Sequence, residues 1–160
     1  MNLVSRYGRV ALFTGVALLA AFVIWVLAGS PVPWTREVPL TAAQMDGRGI
    51  YAANCARCHG ENGEGQPEWK SQRTDGTYPA PPHDETGHTW HHADGLLFNI
   101  VKRGGGYAAP VGYKSTMPAW EGALTDAQIV AVLEYIKTLW EPWEQKQQAT
   151  VSIQNPYPPQ

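Results

Sequence analysis

The stretch "NCARCHG", residues 54–60, holds the only two cysteines of the chain, with His59 directly after the second. Three chemistries use such a pair. A redox dithiol wants C-x-x-C at a helix N-terminus, where the thiol pKa falls. Here the pair lies at the end of a predicted helix, and no βαβ pattern surrounds it. A zinc site could add two histidines, giving Cys55, Cys58, His83 and His88 as C-x2-C-x24-H-x4-H, enough ligands for a tetrahedral ion. Its central spacing is longer than that of a zinc finger, and His59 and Met117 are left unused. The third chemistry uses them all, because C-x-x-C-H is the attachment sequence of a c-type haem. Thioether bonds from Cys55 and Cys58 would fix the porphyrin edge, and the turn between them would aim the His59 imidazole at the iron.

Composition favours a cofactor. Among 160 residues there are 16 glycines and 13 prolines, which indicates a loop-rich domain of modest helix content. Such a small domain buries little apolar surface and usually needs a disulfide, metal or cofactor to hold it. Charge is close to balanced, 12 basic against 14 acidic residues, so no nucleic-acid footprint is present.

The run "VALFTGVALLAAFVIWVLA", Val10 to Ala28, carries no charge. As a helix it would be about 28 Å long, near the ~30 Å hydrocarbon core of a bilayer. Arg6 and Arg9 precede it, so the positive-inside tendency puts residues 1–9 in the cytoplasm and the rest outside. A cleaved signal peptide is the competing reading, but the run is longer than the usual h-region of about 7–15 residues. The expectation is a single-pass transmembrane anchor over 10–28 in a bacterial cytoplasmic membrane, with the remainder on the periplasmic face.

Residues 29–40 then read as a proline-bearing linker with a reach of about 40 Å. Thr41 is a candidate N-cap for a helix running to Cys55. Gly47 and Gly49 inside it cost about 1 kcal/mol each relative to alanine, reasonable if another helix crosses closely there. A second helix, capped by Asp94, runs to the glycines at 104–106. Thr125 to Trp140 is the clearest helix. Thr125 and Gln128 form a capping box there, and Ile129, Val132, Leu133, Ile136 and Leu139 or Trp140 make one apolar face. The tail 141–160 is polar and proline-rich and is expected to be extended.

With these residues in view, residues 41–140 resemble a class I (monohaem) cytochrome c. The resemblance implies a mostly α fold in which N- and C-terminal helices cross around one covalent haem c. It matches Gly47, Tyr51 and Cys55 to a helix that meets the C-terminal helix around Val132 and Tyr135. It matches "MPAW" to the family's methionine loop, which makes Met117 the second axial ligand beside His59. Met45, ten positions before Cys55 on the same helix, is badly placed for that role. A thioether suits low-valent iron, and a His/Met pair raises the haem potential. With both axial positions filled there is no open site for substrate, so the implied function is electron transfer rather than enzymatic chemistry.

The implied partners are membrane-bound redox complexes, a quinol-oxidising donor and a terminal oxidase or other periplasmic acceptor, with the bilayer engaged through 10–28. A fixed haem subunit of a larger respiratory or photosynthetic complex is the alternative. "HDETGHTWHH", residues 83–92, packs His83, His88, His91 and His92 into ten positions and raises a third reading, a sensor or metal-handling loop. Its plainer reading is a surface loop with histidines bonded to backbone, to haem propionates or to the next helix.

Overall fold

The structure, a computed structural model, describes residues 16, 18–25 and 40–158. The chain divides into two compact units, Met1–Pro39 and Leu40–Gln160. In the first, residues 16 and 18–25 are helical with exposed side chains. The expected cytoplasmic segment 1–9, the other positions of the 10–28 run and the linker up to residue 39 lie outside the described residues. Among the described residues, no helix is long and apolar enough to cross a membrane.

The second unit is mostly helical. Its elements are α1 (Ala42–Asn54), the short α2 (Ala56–His59), a 3-10 turn at Thr89–His91, α3 (Asp94–Arg103), α4 (Asp126–Lys137) and α5 (Pro142–Ser152). Helices α1 and α4 both start with a capping box. Thr41 Oγ1 accepts from the Gln44 N–H while the Gln44 side chain accepts from the Thr41 N–H, and Thr125 and Gln128 repeat the arrangement. Each box satisfies two backbone donors that a helix start would otherwise leave open.

The principal packing in this unit is α1 against α4. Gly47 is buried at the crossing, and a Cβ there would overlap the carbonyl oxygen of Ala131 and press on Tyr135. The glycine therefore sets how closely the two axes approach. One turn later Tyr51, 1% exposed, stacks at a tilt on Tyr135 with centroids 5.4 Å apart. Leu97, Phe98 and Val101 of α3 join Ile129, Val132, Leu133, Ile136 and Trp140 to complete the core. The predicted apolar face of α4 is thus the buried one, and Trp140 rather than the partly buried Leu139 closes it.

Two expectations are corrected here. Asp94 does not cap α3: the N-cap is Ala93, whose side chain makes no capping bond, and Asp94 is the first helical residue. The tail is not extended over its first half, because 142–152 form α5. Glu141 is its N-cap, Pro142 sits where a missing N–H is no loss, and Glu144 accepts from the Glu141 N–H at 2.7 Å. The buried stripe of this helix is polar: Glu144, Gln148 and Ser152. Gln148 Nε2 donates to Asp94 Oδ1 at 2.7 Å, and Lys137 Nζ lies 2.8 Å from the same oxygen. The first turn of α3 is capped from this tail, its Asp94 and Gly95 N–H groups donating to Ser152 Oγ (3.1 Å) and the Asn155 carbonyl (2.9 Å).

The two helix glycines of α1 give opposite expectations. A Cβ at Gly49 would meet nothing within 4 Å, so Gly49→Ala should stabilise by about 1 kcal/mol through helix propensity. Gly47→Ala gains the same propensity but forces apart the α1–α4 backbones, and overpacking of about 1–3 kcal/mol or more should make it net destabilising. Chemical denaturation of the two variants checks this; equal midpoints would contradict the crossing.

Candidate functional site

The C-x-x-C-H stretch occupies the junction of α1 and α2. Cys55 is at once the C-cap of α1 and the N-cap of α2, so its backbone turns the chain between them. It is half-buried against the core, whereas Cys58 is exposed. Burial, and then the neighbouring Cys58, push the Cys55 thiol up to about 11. A redox dithiol needs the opposite shift, so that chemistry is disfavoured.

His59 ends α2 and is 7% exposed. Its Nδ1 lies 2.9 Å from the carbonyl oxygen of Pro81. A carbonyl can only accept, so Nδ1 carries the proton and, in the neutral ring, Nε2 presents a free lone pair. Burial lowers the imidazole pKa, partly offset by the Pro81 bond, which favours that neutral, ligating form. After His59 the chain reverses at Gly60 (φ 85°, ψ 154°), a conformation essentially reserved for glycine. The Gly60 carbonyl accepts from the Tyr51 hydroxyl at 2.9 Å, tying the end of the motif to the helix crossing.

Met117 is half-buried and packs against the core. Its loop is held at the C-terminal end of α3. The Met117 carbonyl accepts from the Gly105 N–H (3.2 Å), and its N–H donates to Ser115 Oγ (3.1 Å). The Trp120 and Glu121 N–H groups donate to the Val101 and Lys102 carbonyls at 3.2 and 3.0 Å. Those carbonyls belong to the last turn of α3, which has no intrahelical donors left for them. Met45, by contrast, is 55% exposed on α1.

A cavity of about 450 Å³, within the size range of cofactor sites, borders the hydrogen-bond partners of both His59 and Met117, although Cys55, Cys58, His59 and Met117 do not themselves line it. Pro81, the partner of His59, and Gly105, the partner of Met117, both line it, with Leu96 and Ile100 of α3. Tyr78 and Tyr113 also line it and stack at 5.2 Å, joining the two loop walls. These largely apolar walls suit a flat, largely apolar macrocycle. Of the other aromatic or cationic residues near the motif loops, Tyr107 lines the cavity beneath Arg103, 5.1 Å from its ring, and Trp120 packs against the core.

The histidine loop does not assemble a metal site. Among the described residues no group of three or more His, Cys, Asp or Glu side chains could hold an ion, so Cys55, Cys58, His83 and His88 do not come together as zinc ligands. Instead His83 Nδ1 lies 2.9 Å from Thr89 Oγ1, His88 stacks on Trp69 at 5.4 Å, and His91 stacks on Trp90 at 3.6 Å. His92 gives its carbonyl to Gln148 of α5. Two of these contacts, His88 with Trp69 and His92 with Gln148, join residues distant in sequence, and periodicity carries no sign of them. Pro81 was likewise not singled out by the sequence, although a proline twenty-two positions past His59 supplies its hydrogen-bond acceptor.

The Met117 loop gives a test. Gly104 has φ +94° and ψ 161°, and a Cβ there would lie 3.2 Å from both the Met117 carbonyl oxygen and the Ala119 nitrogen. Gly104→Ala should cost about 1–3 kcal/mol in backbone strain and loosen the loop. Equilibrium unfolding measures the cost; a stability equal to wild type would contradict the described junction.

A family model for cytochrome c matches residues 44–140, more than half of the chain. The Cbb3-type cytochrome c oxidase subunit FixP of Azorhizobium caulinodans is 35% identical over 100 residues, 62% of this chain and 28% of that protein. The chain thus spans under a third of that relative's length. The helix crossing, the C-x-x-C-H turn and the family match agree: the chain belongs to the cytochrome c family of electron carriers, whose cofactor is covalently bound haem c, and Cys55, Cys58 and His59 fit its C-x-x-C-H motif.

Proposed function

We propose that this domain carries single electrons through one haem c, attached at Cys55 and Cys58 and ligated by His59 and Met117, in the service of a membrane-bound oxidase. The observation that carries the reading is the His59–Pro81 hydrogen bond, which keeps the ring proton on Nδ1 and leaves the Nε2 lone pair free to ligate. When bound, the haem supplies a one-electron ferric/ferrous couple. The chain's own residues do the rest. Cys55 and Cys58 would hold the macrocycle edge, and the buried His59, whose lowered pKa favours the neutral ring, would offer a lone pair without needing to lose a proton. Met117 offers a soft thioether from a loop pinned to the end of α3. His59 and Met117 together would leave the iron no open position for oxygen or substrate, so the group would supply electron transfer without bond chemistry.

Two further observations support a membrane-bound oxidase as the partner. The similar protein FixP is a subunit of a cbb3-type cytochrome c oxidase, which supports the reading of this domain as a fixed haem subunit of such a complex. The uncharged run Val10–Ala28 supports attachment to the bacterial cytoplasmic membrane, with the haem domain on the periplasmic face. Its described part is helical and exposes apolar side chains such as Leu18, Leu19 and Phe22. A tethered carrier running between a quinol-oxidising complex and a terminal oxidase shares the anchor and the haem, and differs in moving between partners.

Met117→Ala should lose the weak far-red sulfur-to-iron absorption of the oxidised protein, lower the reduction potential and let the reduced protein bind carbon monoxide. Met45→Ala should do none of these. Spectra and potentiometric titration of the two variants check the assignment, and the reverse pattern would overturn it. For the membrane reading, high-salt washing of native membranes should leave the cytochrome behind, since apolar insertion is not screened by salt. Mild-detergent extraction should then bring out an oxidase with it. A mature chain that starts near Gly29 and appears in the soluble fraction would contradict the tether, and a tethered chain extracted alone would favour the mobile carrier.

A further inference from the structure

The Pro81 hydrogen bond leaves one freedom of the His59 ring uncontrolled. Carbonyl oxygens accept over a broad range of directions, so the imidazole can still rotate about its N–H···O line. A second group closes that freedom. The His83 ring stacks on the His59 ring with centroids 4.0 Å apart and planes 20° from parallel. Turning the His59 plane would drive it into this neighbour.

His83 is itself held from several sides. Its N–H donates to the Gly63 carbonyl at 2.6 Å, in the loop that follows the attachment motif. Its carbonyl accepts from Trp140 Nε1 at 2.7 Å, beyond the end of α4. Its Nδ1 lies 2.9 Å from Thr89 Oγ1, and that hydroxyl lies 3.5 Å from the Pro82 carbonyl. Thr89 is buried, 6% exposed. The Tyr51 ring approaches the His83 ring edge-on at 6.3 Å. The backbone of His83 is thus tied to the motif loop and to Trp140 past the end of α4, and its ring lies against Thr89 and Tyr51 of α1.

We infer that His83 is a positioning residue that sets the plane of the His59 imidazole, with Thr89 holding the His83 ring in turn. The inference rests on the reading of His59 as an iron ligand. Packing alone would be served by an aliphatic side chain of similar size, whereas a flat ring parallel to the imidazole hinders its rotation in both directions. The plane of an axial imidazole governs how its π orbitals overlap the iron d orbitals. It is therefore visible in the g-values of the ferric low-spin centre and in the spread of haem-methyl NMR shifts, neither of which depends on turnover.

The experiment compares full-length haem-loaded wild type with His83→Leu, His83→Phe and Thr89→Val. His83→Leu should shift and broaden the g-values and change the haem-methyl spread, because the stacking surface is gone. His83→Phe keeps a flat ring and should stay close to wild type. Thr89→Val should move in the direction of His83→Leu by a smaller amount. A His83→Leu spectrum identical to wild type, or a His83→Phe spectrum displaced as far as His83→Leu, overturns the inference. If His83→Leu fails to load haem, the other two decide: a wild-type-like His83→Phe with a shifted Thr89→Val supports it, and an unshifted Thr89→Val overturns it. A wild-type spectrum without a low-spin histidine-ligated centre would instead overturn the assignment of His59, and this inference with it. Normal wild-type ligation with unresponsive variants removes the positioning role alone.

Discussion

The close approach of α1 and α4 at Gly47 is the constraint from which the rest of the second unit is built. Without a side chain at that position, the α1 backbone lies against the Ala131 carbonyl, and Tyr51 one turn later reaches Tyr135. Tyr51 then spends its hydroxyl on the Gly60 carbonyl, the residue after His59. A contact of helix backbones is in this way carried to the candidate ligand through one aromatic side chain. Widening the crossing by a methyl group would move Tyr51, and with it the end of the C-x-x-C-H turn. Packed interiors transmit such shifts because they have little free volume in which to absorb them.

Helix α3 plays the complementary part on the other side. Each of its ends leaves backbone groups that the helix cannot satisfy by itself. At the C-terminal end, the Val101 and Lys102 carbonyls are taken by the loop that carries Met117; at the N-terminal end, the Asp94 and Gly95 N–H groups are taken by the C-terminal tail. The helix is therefore a strut between the tail and the methionine loop. Lys137 of α4 bridges to Asp94 of α3, and the tail itself reaches α4 where the Tyr157 hydroxyl donates to Glu134 at 3.0 Å. Burial and the carboxylates of Glu134 and Asp94 raise the Tyr157 pKa far above that of a free phenol, so it acts there as a hydrogen-bond donor.

How much of this was legible in the sequence follows from the range of each interaction. Capping boxes span three residues, so Thr41 with Gln44 and Thr125 with Gln128 could be read directly, as could the apolar face of α4 and the C-x-x-C-H spacing. Helix α5 escaped because its buried stripe, Glu144, Gln148 and Ser152, is polar, and a search for apolar periodicity passes over it. The signal was nevertheless present in "EPWE", an N-cap acceptor followed by proline and then glutamate. Gly47 and Gly49 look alike in sequence, and only the neighbouring helix separates them. Asp94 reads as a cap, yet its partners lie on α4 and α5, more than forty residues away. The His59–His83 stack depends on a loop folding back across the motif, which no local pattern encodes.

The central proposal is that His59 and Met117 would hold the haem iron between one imidazole and one thioether. X-ray absorption at the iron edge of the full-length, haem-loaded protein tests it most directly, because sulfur scatters differently from nitrogen and lies farther from the metal. The account predicts a single iron–sulfur path beside the nitrogen shell, present in both the oxidised and the reduced protein. An iron surrounded by nitrogen alone, as a second histidine from the 83–92 loop would give, or an iron short of one axial ligand, would contradict it.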